Sequence, residues 1–197
     1  MGKKLLVTIM VITFWIGSTT AQEASQATEP EKTEQQAPPA AVIELKEIEP
    51  FTYCALEMVG SYEQHEVAFD SLFQATSAQN LPAEEIPFGV YWNNPQNTPE
   101  EQLKWELGFT LTESKEVKAP LTLKKWEFKQ NVTRKYDGAF NSPEIGKVYG
   151  EMFEWINKNE FVPAGPMLER YLNIPEQNEA GQWSGEVEIW IPVTKAK

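Results

Sequence analysis

Two pairs of residues near the carboxyl end of the chain combine an acid with an aromatic ring at a spacing of two. Glu169 and Tyr171 form one pair, and Glu188 and Trp190 form the other. In a β-strand, residues two apart point to the same face, so each pair is predicted to place a carboxylate beside an aromatic ring. Such a surface suits a flat or cationic organic molecule, because aromatic faces and a buried negative charge both favour cations.

A structural role is the alternative for Glu169. Its side chain would then lie on the outer face of its strand, exposed or paired with Arg170 or a neighbouring lysine. Glutamate is seldom fully buried without a partner. The residues of this strand leave both orientations open.

The segment around Glu169 has a counterpart earlier in the chain. Residues 168–175 are LERYLNIP and residues 88–95 are FGVYWNNP, so both carry a Tyr-x-Asn-x-Pro frame, with tyrosines 171 − 91 = 80 residues apart. We interpret this as one unit of about 70 residues used twice. Gly89 in the first unit stands where the second unit has Glu169, and Tyr91 is expected to approach the same cleft from the first unit.

Hydrophobic periodicity predicts the elements that position these residues. The first unit is predicted to be a strand over 51–59, an amphipathic helix from about 64 to 80, and two further strands. The second helix has clear start signals, with Ser142 as N-cap followed by Pro143 and an apolar stripe. A last strand over 186–193 alternates apolar and polar residues.

These features, in this order, resemble the GyrI-like effector-binding family, which is found in gyrase-inhibitory proteins and appended to AraC-type and MerR-type regulators. The matching residues are Gly60-Ser61-Tyr62, 88–95 followed by Thr98-Pro99-Glu100-Glu101, 168–175, and Glu188-Ile189-Trp190-Ile191-Pro192-Val193. The resemblance implies an α+β fold: two pseudo-symmetric strand-helix-strand-strand units form one curved antiparallel sheet, with helices packed on it and a ligand cleft between the units. It covers about residues 49–194, and no helix-turn-helix precedes it.

The resemblance also implies a function, since in its regulator members the equivalent glutamate meets cationic drugs. We therefore expect a small-molecule-binding protein for cationic or amphipathic compounds, with a cleft lined by Glu169, Tyr91, Tyr171, Glu188 and Trp190. Neither a cofactor nor a metal cluster is expected. A protein-interaction scaffold, with no identified protein partner, is a further alternative.

Some GyrI-like proteins are described as hydrolases of cyclopropane-containing natural products. A hydrolase is therefore the first alternative to a small-molecule-binding protein, ahead of the scaffold. Glu169 would then act as general acid or base, assisted by Tyr91 or Tyr171. No nucleophile-base pair is visible in the sequence. His65, the single histidine, is expected to face solvent or cap the first helix.

The amino-terminal segment predicts export. Lys3 and Lys4 precede an apolar run that ends at Gly17, and small residues follow, as in a secretory signal peptide. The run is too short for an ordinary membrane span, which needs about 20 residues. We expect a periplasmic or secreted protein without a stable span after cleavage, an uncleaved anchor being the alternative.

The domains are then predicted as a signal peptide over 1–21, a disordered Glu/Gln/Pro-rich spacer over 22–48, and a GyrI-like domain over 49–194. The repeat units within that domain occupy about 49–114 and 121–194. The net charge of −12 argues against a nucleic-acid surface, so no DNA contact by this chain alone is expected.

Overall fold

The computed structural model describes residues 42–140, 142–177 and 182–197. The predicted signal peptide and most of the predicted spacer lie outside the described residues. Within the described part, the first strand comprises Glu44–Glu47. Residues 44–47 of the predicted spacer are therefore part of the sheet, and the domain begins earlier than residue 49.

The described residues form ten strands and two α-helices. In chain order these are β1 Glu44–Glu47, β2 Phe51–Val59, α1 His65–Ala78, β3 Phe88–Tyr91, β4 Lys104–Thr110, β5 Thr122–Trp126, β6 Gln130–Ala139, α2 Pro143–Lys158, β7 Phe161–Pro163, β8 Met167–Tyr171, β9 Glu176–Gln177 and β10 Trp183–Lys195.

All strand pairs are antiparallel, and the main sheet has the order β1-β6-β10-β8-β3-β4-β2-β5. The order is symmetric about its centre. From the centre outward, one half of the sheet contains β3, β4 and β2, and the other half contains β8, β10 and β6. The predicted α+β fold of two pseudo-symmetric units in one curved sheet is confirmed. We call the central pair, β3 and β8, the seam.

The helices pack on one face of the sheet, on either side of the seam. Ala68 and Leu72 of α1 are buried against the apolar residues of β2 and β4. α2 buries its predicted stripe against β6 and β10 (Ile145, Val148, Met152, Ile156). Its predicted start is confirmed, since the Ser142 hydroxyl accepts a hydrogen bond from the backbone N–H of Ile145 at 3.4 Å.

The face opposite the helices carries an aromatic cluster. Phe51, Tyr53, Phe88, Trp126 and Trp190 make edge, tilted or stacked contacts with ring centroids 5.2–6.5 Å apart. The sheet is thus apolar on both faces around the seam, and its two faces offer separate environments.

Neither α1 nor α2 is long and apolar enough to cross a membrane. Across 42–140, 142–177 and 182–197, no group of three or more His, Cys, Asp or Glu side chains is placed to hold a metal ion.

Candidate functional site

The seam brings the two units together at Gly89 and Glu169, which are direct cross-strand partners. Tyr91 and Tyr171 lie two residues further along their strands and point to the same face, the one that carries the helices. Their hydroxyl oxygens are 3.1 Å apart. The three residues that the sequence grouped here, Glu169, Tyr91 and Tyr171, are therefore neighbours.

Gly89 makes room for this arrangement. A Cβ atom at residue 89 would lie 2.7 Å from Cζ of Tyr91, well inside van der Waals contact. The Tyr91 ring folds back over the glycine, which places its hydroxyl above the seam. A side chain at residue 89 would displace that ring.

His65 lies among these tyrosines, contrary to the expectation that it faces solvent, and its backbone N–H caps the short 3₁₀ turn before α1 by donating to the Tyr62 carbonyl. Its Nε2 is 2.9 Å from the Tyr91 hydroxyl, and its Nδ1 contacts the backbone carbonyl of Tyr62. Its ring stacks on Trp105 with centroids 4.4 Å apart. Burial lowers the pKa of His65, so the neutral imidazole is favoured.

Glu169 is partly buried on the helix face, so the exposed outer orientation is wrong. The hydroxyl of Tyr149, from α2, donates a hydrogen bond to Oε1 of Glu169. Burial raises the pKa of the Glu169 carboxyl, against the lowering effect of that hydrogen bond. We call Glu169, Tyr149, Tyr91, Tyr171 and His65 the seam site.

The seam tyrosines stay neutral. Burial raises the pKa of Tyr91, Tyr149 and Tyr171, and the nearby Glu169 carboxylate raises each of them further. Three phenol hydroxyls are thus available for hydrogen bonding around a single acid. The site carries charge only at Glu169 and, when protonated, at His65.

Tyr149 lies on the apolar stripe of α2, where the sequence pattern by itself predicts a core residue and no role in the site. A signal for it exists in the repeat, since Tyr149 aligns with Phe69 at the same offset that aligns Glu169 with Gly89. Two polar groups are therefore present in the second unit only. The structure shows that these two groups touch.

Glu188 and Trp190 do not belong to this group, which corrects their expected place in the cleft. Ile189 pairs with Glu169, so the flanking Glu188 and Trp190 point to the opposite face. There Glu188 accepts hydrogen bonds at 2.8 Å from Lys46 Nζ and from Trp190 Nε1. Burial alone would raise the pKa of Glu188, but these two donors outweigh it and the pKa is lowered.

Comparison with known proteins places this geometry in a family. The model of the GyrI-like small molecule binding domain matches residues 42–194. A DNA gyrase inhibitor of Erwinia billingiae is 30% identical over 163 residues, covering 79% of this chain and 99% of that protein.

Solved structures share the fold. The C-terminal domain of EcmrR superposes with a TM-score of 0.64 at 16% identity, covering 79% of this chain and 99% of that domain. In a DNA complex of the longer EcmrR, the match covers 58% of the EcmrR chain. The expectation that the present chain makes no DNA contact by itself stays a prediction.

Proposed function

We propose, from the premise that this chain belongs to the family of GyrI-like small molecule binding domains, that its seam site binds amphipathic organic cations. Glu169 would supply the negative charge, and the aromatic side chains around it would supply the apolar surface. The site lies between α1 and α2, because His65 of α1 contacts Tyr91, and Tyr149 of α2 contacts Glu169.

The observation that carries this proposal is that Glu169 has no ion-pair partner within the described part of the chain. Two other buried or partly buried acids are neutralised: Glu106 contacts Lys124, and Glu188 contacts Lys46. Among the described residues, no lysine, arginine or histidine forms an ion pair with Glu169. A carboxylate withdrawn from water without a counter-charge is stabilised when a cationic ligand supplies one.

Aromatic groups complete the receptor. Phe69 and Phe140 make edge contacts with the Tyr171 ring, with centroids 5.4 and 5.8 Å apart. Phenol and phenyl rings attract cations through their faces and tolerate varied apolar substituents. We therefore expect the site to select ligands by their positive charge and aromatic bulk and not by one defined shape.

A calorimetric comparison of two isosteric probes tests the proposal. The 4-hydroxyphenyltrimethylammonium ion and neutral 4-tert-butylphenol differ in charge and hardly in shape. We expect Glu169→Gln to weaken binding of the cation about tenfold or more, or 1.4 kcal/mol, and to leave the neutral probe nearly unchanged.

The matched control is Glu188→Gln, the same substitution on the opposite face of the sheet. It should leave the cation affinity at the wild-type value. Equal loss in both variants, or full cation affinity in Glu169→Gln, would show that the charge at the seam is not the determinant.

A second candidate function is hydrolysis of a strained electrophile, favoured by the raised pKa of Glu169 and its contact with Tyr149. A carboxyl with a raised pKa can donate its proton to the oxygen or nitrogen that receives the electron pair when the strained carbon–carbon bond breaks, while water adds to the released carbon. Incubation with a cyclopropane-containing electrophile, followed by mass spectrometry for the water adduct, tests this. Turnover that disappears in Glu169→Gln would make the protein an enzyme.

We also propose that binding takes place outside the cytoplasm, on the strength of the signal-like pattern in residues 1–21. Mass spectrometry of the protein from fractionated cells tests this through the mature amino terminus. Export would separate this chain from cytoplasmic DNA gyrase. A gyrase-inhibiting role, for which the Erwinia billingiae relative is named, would therefore need the unexported form. A supercoiling assay with the purified protein and gyrase tests that role directly.

A further inference from the structure

The hydrogen bonds of His65 fix the direction of a chain of hydroxyl groups. The backbone oxygen of Tyr62 can only accept a hydrogen bond, so Nδ1 of His65, which contacts it, must carry the proton. In the neutral ring Nε2 then has no proton and accepts from the Tyr91 hydroxyl at 2.9 Å. The Tyr91 oxygen in turn accepts from the Tyr171 hydroxyl at 3.1 Å.

The direction of donation therefore runs from Tyr171 through Tyr91 and His65 to the Tyr62 carbonyl. Tyr171 is the first donor in this series of hydrogen bonds. It donates its only hydroxyl proton to Tyr91, so its oxygen lone pairs stay free to accept. Among the described residues, nothing else forms a hydrogen bond with the Tyr171 oxygen. Oε2 of Glu169, on the same strand and face, also has no donor from the described residues.

We propose that His65 is a positioning residue that sets ligand specificity, because it turns the Tyr171 oxygen into an acceptor beside Glu169. This inference rests on the proposed function of the seam site and deepens it. Two acceptors without a matching donor favour a ligand that brings positive charge or N–H groups. A neutral ligand with an exposed carbonyl oxygen would meet no donor from Tyr171.

Loss of the acceptor at His65 would reverse the direction of hydrogen-bond donation between Tyr91 and Tyr171. With no acceptor at residue 65, Tyr91 is able to donate to Tyr171, and the Tyr171 proton then points toward the ligand. The same reversal follows from protonation of His65, whose Nε2 would become a donor. The titratable groups that face His65 are Tyr62 from the turn before α1 and Tyr91 from β3, with Tyr171 and Glu169 of β8 behind Tyr91.

The first test needs no ligand. His65 is the only histidine in the chain, so a long-range ¹H–¹⁵N correlation spectrum shows a single imidazole and reports its tautomer. We expect the Nδ1–H tautomer at neutral pH. Observation of the Nε2–H tautomer, or of a doubly protonated ring, would overturn the proposed chain direction.

The second test measures the ratio of the affinities for 4-hydroxyphenyltrimethylammonium and 4-tert-butylphenol. His65→Phe should lower this ratio roughly two- to tenfold, the range for one hydrogen bond. His65→Gln, which restores an acceptor oxygen near the position of Nε2, should recover most of the ratio. Tyr136→Phe removes a hydroxyl outside the chain, one that contacts Ala139 and Ser142, and should leave the ratio unchanged.

The two tests separate this proposal from the proposed function. If wild-type protein binds neither probe, the cation site fails while the tautomer still decides the hydroxyl chain. If wild type prefers the cation and His65→Phe keeps that preference, the cation site stands and the role of His65 is refuted. Should His65→Phe not fold, the spectrum of the wild type and the ratio in His65→Gln still decide the matter, since an acceptor at residue 65 must preserve the preference.

Discussion

Gly89 and Glu169 occupy equivalent positions in the two units and are also direct partners across the seam. Equivalent residues pair in this way only where a pseudo-twofold axis passes between them. The pair is therefore a point at which the two units meet, and it is also a point at which they differ in chemistry. One side of the axis carries an acid, and the other carries the space that the Tyr91 ring fills.

Gly89→Ala should disrupt the seam. The added methyl group meets the buried Tyr91 ring, which is held by His65 and Tyr171 and has little room to move. We expect a loss of roughly 1–3 kcal/mol in the free energy of unfolding, measured by urea denaturation, together with weaker cation binding.

Gly150→Ala is the control for that substitution. Gly150 lies inside α2, and a Cβ there meets nothing within 4 Å. Alanine favours the helix over glycine, so this variant should gain about 0.5–1 kcal/mol. A stable Gly89→Ala protein with unchanged binding would contradict the tight packing described for Tyr91.

Glu169→Gln should stabilise the ligand-free protein. Burial raises the pKa of Glu169 in the folded state, so its stabilising effect is complete below the unfolded pKa and is lost as pH rises through the folded pKa. The glutamine has no such charge cost and can still accept from Tyr149. We expect a gain of roughly 0.5–2 kcal/mol at pH 7, shrinking toward pH 4.

Glu188→Gln should act with the opposite sign. The pKa of Glu188 is lowered in the folded protein, so its contribution is present above the unfolded pKa and is lost as pH falls. The variant should lose about 1 kcal/mol near pH 7. Denaturation curves at pH 4 and pH 7 for both variants would show whether the two acids differ as described.

Cation binding at the seam site should strengthen as pH rises through the raised pKa of Glu169. Binding favours the carboxylate, so below that pKa a proton is released when the ligand enters. Calorimetry of 4-hydroxyphenyltrimethylammonium in two buffers with different ionisation enthalpies measures this release. The release should persist in His65→Gln, which removes the only histidine, and should vanish in Glu169→Gln.

Lys124→Met should destabilise the protein strongly. Glu106 is fully buried on the face opposite the helices and is held by Lys124 and by the Tyr53 hydroxyl at 2.6 Å. Without the lysine an uncompensated buried acid remains, which costs about 3 kcal/mol. The double variant Glu106→Gln/Lys124→Met should recover a large part of this loss; no recovery would mean that Lys124 acts through its other neighbours, Glu57 and Trp92.

Local sequence signals determined most elements of this protein and their order, whereas β1 lies in residues expected to be spacer. The Ser142–Pro143 start of α2, its apolar stripe and the alternation in β10 are local signals, each set by the backbone chemistry of a few neighbouring residues. The Tyr-x-Asn-x-Pro frame shared by residues 88–95 and 168–175 predicted that Glu169, Tyr91 and Tyr171 lie together. Residues two apart on one strand share a face whatever the rest of the fold does.

Only the tertiary structure decided which residues of neighbouring strands point to the same face of the sheet. The pairing of Glu169 with Ile189 sends Glu188 and Trp190 to the far side, and a slip of one residue would have brought them to the seam. That register depends on the packing of both units, which no short segment encodes. The same holds for His65 and Tyr149, because their helices bring them to the seam only once α1 and α2 have packed on the sheet.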